Sequence, residues 1–131
     1  MDDIQIGDLI LTEKLNNKDF AVALANIAVE LNCTETTVID LRGKSPATDF
    51  FVIATAASGR QGRSVLAKIE EFAKQNDIMV FGKAGMEHGS WIIIDFVDVV
   101  VHVFDPEYRE YYQLENLWGD ASVLEIHPGG S

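Results

Sequence analysis

The chain of 131 residues has one cysteine, Cys33, and no long uninterrupted apolar run. A single cysteine excludes an internal disulfide and is typical of a reducing compartment. The apolar runs at 91–94 and 99–103 are interrupted by Asp95, Asp98 and His102, far short of the roughly 20 residues that span a bilayer. The first residues also lack the positive region of a signal peptide. We expect a cytoplasmic protein that does not enter a membrane.

Basic residues are scarce as well: 10 Lys and Arg stand against 21 Asp and Glu, a net charge of −11. The charge is −6 over residues 1–41, +3 over 42–83 and −7 over 91–131. Such a chain is repelled by nucleic acid and by anionic membranes, so we expect no direct binding to either. The acidic C-terminal third would attract a basic partner. Acidity that serves only solubility is the other interpretation.

Apolar patterning predicts an α/β fold in which helices flank a mixed sheet of about five strands. Residues 50–56 are apolar on both alternating sets, which is typical of a strand covered on both faces. One hairpin and one helical crossover require both antiparallel and parallel pairing. The predicted strands lie at 36–41, 50–56, 78–81, 91–95 and 99–104, with a glycine-rich loop at 82–90.

Helical spacing predicts three helices in this single layered domain. Asn16, Asn17 or Asp19 can cap the first of them. The predicted helices cover about 20–31, about 60–75 behind an N-cap at Ser58, and Pro106 to about Trp118.

The loop at 57–63 joins a strand to a helix N-terminus, where free backbone N–H groups can hold phosphate. Arg60 and Arg63 add positive charge. The GxxxxGK[ST] and GxGxxG patterns are both missing. Capping by Ser58 explains the loop without a ligand, and we favour it over a nucleotide site.

Asp95, Asp98 and His102 are candidates for metal or acid–base chemistry. The two acids stand three residues apart across a turn, whereas ligands on one strand are usually two apart. Acids that bind a turn's own N–H groups are commoner, so we expect no metal and no cofactor. His102 has no nucleophile in a recognisable motif. It is predicted to be structural or to contact a partner, and no catalytic residue is expected.

The stretch YYQLENLWGD at 111–120 is dense in aromatic side chains. On a helix, its large residues together with Tyr108 cover an arc too broad for one buried seam. They are Tyr108, Tyr111, Tyr112, Leu114, Glu115, Leu117 and Trp118. Tyrosine and tryptophan dominate interface hot spots. The surface is therefore either packed on the sheet or exposed for a partner, which includes a second copy in a homodimer.

Three blocks of the sequence carry a recognisable pattern. They are DLRGKS at 40–45 followed by TDFFVIATA at 48–56, WIIIDFVDVVVHVF at 91–104, and YxLExLW at 112–118. With this content and spacing the chain resembles the ribosomal silencing factor family, also called RsfS or Iojap. The resemblance runs from about Phe20 to Gly119. It divides the chain into an arm at 1–18, a domain at 19–120 and a tail at 121–131.

The resemblance implies a nucleotidyltransferase-like fold without the catalytic acids, in a binding factor that is not an enzyme. Members of the family bind the large ribosomal subunit at ribosomal protein fourteen. They thereby block joining of the small subunit, which lowers translation when nutrients are short. The alternative is a nucleotide-binding or nucleotidyltransferase-like enzyme with phosphates at 58–63 and Mg²⁺ at Asp95 and Asp98.

Carried over by position, the family pattern gives candidate partner-binding residues, and the motif does not separate those that touch the partner from those that only hold the hairpin against the last helix. The matching positions are Trp91, Asp95, Asp98, His102, Tyr112, Leu114, Glu115, Leu117 and Trp118. We expect an apolar patch with an acidic rim, formed by Trp91 and Ile93 on the hairpin with Tyr112, Glu115 and Trp118 on the helix. The family's hairpin turn usually reads D-x-G-D, but Val97 replaces the glycine here. Because a β-branched residue disfavours positive φ, we expect a different or bulged turn.

Overall fold

The computed structural model describes residues 15–113, 121–124 and 126. These residues form a six-stranded mixed sheet with three helices, in the order β3-β4-β5-β2-β1-β6. The elements are α1 Asn17–Glu30, β1 Thr34–Asp40, β2 Phe50–Thr55, α2 Gly59–Gln75, β3 Gly82–Ala84, β4 Trp91–Asp95, β5 Val99–Phe104, α3 Pro106–Tyr112 and β6 Ser122–Leu124. The predicted α/β fold is confirmed, with one strand more than we expected.

Strands β2 and β5 pair in parallel, and all other neighbours in the sheet are antiparallel. A parallel pair needs a long crossover, which α2, β3 and β4 supply between β2 and β5. The hairpin of β4 and β5 has the bounds that the sequence predicted. Its register sets Trp91 opposite Phe104 and Ile93 opposite His102.

Helices α1 and α2 cover one face of the sheet. The Asn16 side chain caps α1 by accepting the N–H of Asp19, and the Ser58 side chain caps α2, as predicted. Leu24 of α1 and Ile69 of α2 are both 0% exposed and pack with the strands in the larger core. Among the residues described, no helix is long and apolar enough to cross a membrane.

The opposite face of the sheet carries a smaller apolar cluster. Successive residues of a strand point to opposite faces, so β5 turns Val101 and Val103 toward the helices and His102 and Phe104 away from them. Ile39, Leu41, Ile53 and Phe104 are buried in this second cluster, with Phe51 and Trp91 packed at its margin. The short helix α3 lies on this side, next to β5.

Strand β3 lies later in the chain than we predicted. Its ladder with β4 covers Gly82–Ala84, whereas the predicted strand at 78–81 precedes it. Ile78 and Val80 pack against the core, while Met79 and Phe81 are 84% and 75% exposed. The position of this edge strand follows from pairing with β4, which hydrophobicity along the chain does not reveal. The predicted glycine-rich loop accordingly begins after Ala84.

Helix α3 starts where we predicted but ends earlier. Pro106 stands in its first turn behind an Asp105 cap. It was expected to reach about Trp118, yet Gln113 takes a left-handed conformation with φ of 43° and ends the helix after Tyr112. Further along, Ser122–Leu124 forms β6 and pairs with β1, a strand that no pattern in the sequence predicted.

Candidate partner-binding surface

Strands β4 and β5 bring several of the expected partner-binding residues together on the face away from α1 and α2. Trp91 and Ile93 alternate along β4 and are half-buried there. Tyr112 reaches the same place from the end of α3. The expected residues Leu114, Glu115, Leu117 and Trp118 lie outside the described part of the chain.

Four aromatic side chains form a continuous group that we call the aromatic surface: Trp91, Tyr108, Tyr111 and Tyr112. The ring centroids of Trp91 and Tyr112 are 4.8 Å apart, and Tyr111 and Tyr108 lie 4.9 and 5.6 Å from Tyr112. These are ordinary distances for interacting aromatic pairs. Tyr111 is 79% exposed and Tyr112 44%. Of the helix residues whose packing periodicity left open, the three described tyrosines all reach solvent, and Tyr112 also contacts Trp91 on the sheet.

Phe104 supports this surface from below. Its ring lies 4.9 Å from Trp91 and 6.4 Å from Tyr112, and it is fully buried. Trp91 and Tyr112 thus rest on a strand inside the sheet, not on a loop. Side chains held in this way lose little conformational entropy when a partner binds.

The charges around the aromatic surface are negative. Glu107 and Glu110 on α3 are exposed, and Asp105 precedes them. The helix turns its one base inward: Arg109 is 8% exposed and donates from Nη1 to the Thr55 hydroxyl at 3.0 Å. Sequence reasoning missed this inward Arg109, which leaves the outer side of α3 acidic. It also left Tyr108 and Tyr111 out of the expected binding residues, although their helical spacing to Tyr112 was visible.

His102 lies beneath Trp91 and is 6% exposed. The indole Nε1–H of Trp91 donates to His102 Nδ1 at 3.1 Å. Burial lowers the pKa of His102 to about 4, so the ring is neutral near pH 7. Because Nδ1 accepts a hydrogen bond, the ring proton sits on Nε2. Among the described residues nothing accepts from this buried Nε2–H.

Asp95 and Asp98 serve the tight turn between β4 and β5. Asp95 Oδ1 accepts the N–H of Val97 at 2.7 Å, and the N–H of Asp98 donates to the Phe96 carbonyl at 3.0 Å. Val97 takes a φ of +78°, so our expectation that it avoids positive φ is wrong; the surrounding hydrogen bonds impose that conformation. Across residues 15–113, 121–124 and 126, no three His, Cys, Asp or Glu side chains come close enough to hold a metal ion.

The loop at 57–63 is built as a helix cap, the interpretation we favoured. Ser58 Oγ accepts a backbone N–H of the first turn of α2 at 3.1 Å. Gly89 has a φ of +76°, and a Cβ there would come within 2.6 Å of the Gly59 Cα. Arg63 donates to the Met86 carbonyl at 3.2 Å. The 85–89 loop therefore packs directly against the start of α2.

Comparisons with known proteins agree with the resemblance seen in the three sequence blocks. Residues 14–129 match the family described as ribosomal silencing factor during starvation, RsfS. The Bacillus subtilis protein named ribosomal silencing factor RsfS is 32% identical over 115 residues, 88% of this chain and 98% of that protein. A mouse protein named mitochondrial assembly of ribosomal large subunit protein 1 is 30% identical over 98 residues, 72% of this chain and 43% of that protein.

A crystal structure of a protein from Chromobacterium violaceum has the same fold. The TM-score is 0.76 at 24% identity, over 89% of this chain and 97% of that one. Together with the sequence matches over most of the length, the comparisons assign the chain to a family, and it belongs to the RsfS family of ribosomal silencing factors.

Proposed function

We propose that the protein binds the large ribosomal subunit at ribosomal protein fourteen and sterically blocks joining of the small subunit, which represses translation under nutrient limitation. The observation that carries the proposal is the aromatic surface with its acidic rim. Family membership supports it, since the family is named for ribosomal silencing and the mouse relative for assembly of the large subunit.

The aromatic surface has the composition of a protein-binding site. Interface cores are enriched in tyrosine and tryptophan and are surrounded by a polar rim. Trp91 and Tyr112 form the centre here, with Tyr111 reaching 79% exposure beside them. The acidic side chains Glu107 and Glu110 flank this centre. We infer that Trp91 and Tyr112 are the anchors and that the acids lie at the edge of the contact.

The charge distribution favours a basic partner, and ribosomal proteins are basic. Residues 91–131 carry −7, and the one base among them, Arg109, is directed inward. Complementary charge accelerates encounter, whereas burial of the aromatic centre slows dissociation. Association should therefore weaken with added salt, and dissociation should respond mainly to changes at Trp91 and Tyr112.

Co-sedimentation with separated large and small ribosomal subunits, followed by a subunit-joining assay, tests the proposal. The protein should bind large subunits only and should inhibit joining, and isolated ribosomal protein fourteen should compete. Trp91→Ala should weaken binding about 30-fold, the effect of losing a central hot spot. Phe81→Ala is the matched control, because this 75% exposed aromatic lies at the β3 edge, away from the aromatic surface. Lack of binding to large subunits, or equal losses in both variants, would refute the proposal.

Two alternative functions, self-association and nucleotide binding, can be distinguished from the proposed ribosome binding by experiment. If the aromatic surface pairs two copies as a homodimer, light scattering at micromolar concentration gives a dimer mass that Trp91→Ala converts to monomer. If the chain instead binds nucleotides, calorimetry with ATP or CTP plus Mg²⁺ gives heat that is lost in Asp98→Asn. The proposed binding factor requires neither result, and it is not an enzyme.

A further inference from the structure

We propose that His102 is a positioning residue of the aromatic surface: its Nδ1 atom fixes the indole of Trp91 in the orientation that the partner meets. The inference rests on the proposed function of that surface. His102 itself is 6% exposed and acts through Trp91 instead of touching the partner.

The bond between the two side chains follows from the register of the hairpin. Trp91 stands opposite Phe104 and His102 opposite Ile93, so Trp91 and His102 are diagonal neighbours on one face. Their ring centroids are 6.0 Å apart, and the Nε1 to Nδ1 distance is 3.1 Å. Diagonal pairs at this spacing are within reach of aromatic side chains.

The imidazole is held in place from several sides. His102 pairs with Ile53 of β2 on one side and with Ile93 of β4 on the other. The Phe51 ring lies 4.6 Å away at 68°, and the Phe104 ring is nearly parallel to the imidazole at 6.2 Å. A ring confined in this way directs Nδ1 at one place, so it can act as a fixed acceptor.

Trp91 needs such an acceptor because its other contacts are between ring faces and leave the indole N–H without a partner. It meets Phe104 and Tyr112 at tilts of 35° and 45°. Neither ring contact involves the indole N–H, which usually finds a hydrogen-bond partner where it is buried. The hydrogen bond to Nδ1 is directional and fixes which edge of the indole faces the sheet. The opposite edge is then presented beside Tyr112.

The unpaired Nε2–H shows what histidine contributes at this position. An apolar residue would fill the same space without leaving a buried donor unpaired, which is unfavourable. Within the described residues Nε2 has no acceptor, whereas Nδ1 accepts from Trp91. What His102 provides beyond an apolar side chain is therefore the single acceptor aimed at the indole.

The bond can be observed directly in the unmodified protein. NMR should detect coupling across the hydrogen bond between the indole and imidazole nitrogens, with Trp118→Phe identifying which indole signal belongs to Trp91. His102→Phe removes the acceptor and keeps a ring. The Trp91 indole proton should then move upfield and exchange faster with solvent, and affinity for large subunits should fall about five- to tenfold, the effect of one lost hydrogen bond.

A rescue variant separates positioning from packing. In His102→Asn the side-chain oxygen lies as many bonds from Cα as Nδ1 does, so it can accept from the indole. This variant should keep the indole signal of the bonded state and bind within about twofold of the wild type. His88→Asn is the matched control, since His88 is exposed in the loop before β4 and should change neither reading.

Three outcomes would overturn the inference. Absence of the nitrogen coupling in the wild type would show that the bond is not formed, and this holds even if His102→Phe fails to fold. A displaced indole signal with unchanged affinity would show that the bond does not position the surface. If the wild type binds no large subunits while the coupling is present, the proposed function fails and the positioning role falls with it, although the bond stands.

Discussion

The two faces of the β4–β5 hairpin are formed by the same fourteen residues of the chain, 91–104, yet they differ in the types of side chain that they carry. Under α1 and α2 the hairpin contributes aliphatic residues that are at most 1% exposed: Ile92, Ile94, Val99, Val101 and Val103. On the other face it contributes Trp91, Ile93, His102 and Phe104, which range from buried to half-exposed and include a polar pair. The first face is closed by long helices, whereas the second continues into exposed tyrosines. Stability therefore depends mainly on one face, and recognition is expected on the other.

Neighbouring isoleucines of β4 give the strongest test of this difference. Ile94 is 0% exposed beneath the helices, so Ile94→Ala should lower the free energy of unfolding by about 3–4 kcal/mol. Ile93 is half-buried on the other face, and Ile93→Ala should cost about 1 kcal/mol. Urea unfolding measures both. Binding to large subunits should show the reverse order, and equal losses of stability would contradict the division between the faces.

The hydrogen-bonded pair of Trp91 and His102, on the second face, should make the stability of the protein depend on pH. Burial lowers the pKa of His102 to about 4, below the 6.5 of an ordinary histidine. As pH falls, the unfolded chain takes up the proton first, so this contribution to stability is complete above pH 6.5 and is lost toward pH 4. Between pH 7.5 and 4.5 the wild type should lose about 2–3 kcal/mol more than His102→Asn, because the unfolded histidine takes up the proton that the folded one does not. If the free energies of unfolding of the two proteins change in parallel with pH, the lowered pKa of His102 is not the cause of the pH dependence.

A smaller effect is expected at the turn where the chain crosses from β4 to β5. Val97 has a φ of +78° and is 47% exposed, so it is strained and contributes little burial. Val97→Gly should raise the free energy of unfolding by about 1 kcal/mol. Val123→Gly is the control, because this 61% exposed valine is not among the positive-φ residues and should lose stability instead. A loss in both variants would mean that the turn is unstrained.

The smallest effect should come from charge at the margin of the helix-covered face. Lys83 of β3 and Glu70 of α2 form an ion pair at 2.6 Å with both side chains partly exposed. Such pairs contribute less than about 1 kcal/mol. Lys83→Met should therefore change the midpoint of urea unfolding only slightly, and 0.5 M salt should leave wild-type stability nearly unchanged. A large loss would show that ion pairs, and not apolar burial, hold this edge.

The sequence was sufficient to predict those structural features that depend on residues close together in the chain. Two short apolar runs with three residues between them predicted the hairpin at 91–104 with the bounds that the structure has, and Ser58 and Pro106 marked the starts of two helices. These signals are local, because helix capping and a short connection between strands depend on a few adjacent residues. The three blocks also predicted the family.

What the sequence did not predict depends on distant parts of the chain. The three residues of β6 become a strand only by pairing with β1, and β3 is placed by its ladder with β4. The bond from Trp91 to His102 needs the register that the strained turn at Val97 sets. Gln113 ends α3 in a left-handed conformation, which the sequence does not signal because glycine usually occupies such a position. For the two strands and the hydrogen bond, contacts with distant residues override local propensity.

The pairing of β1 with β6 has a consequence for how the protein is made. Asp40 leaves the peptidyl transferase centre about 80 residues before its partner Ser122, which at about 5–20 residues per second is an interval of roughly 4–16 s. During the part of this interval in which β1 is outside the exit tunnel, its outer edge has unpaired backbone groups that can recruit another nascent chain. The irregular register between Thr34 and Thr37, with charges at Glu35 and Asp40, opposes such pairing. A member of a ribosomal silencing factor family is thus exposed to this edge-to-edge pairing while it is still attached to a ribosome.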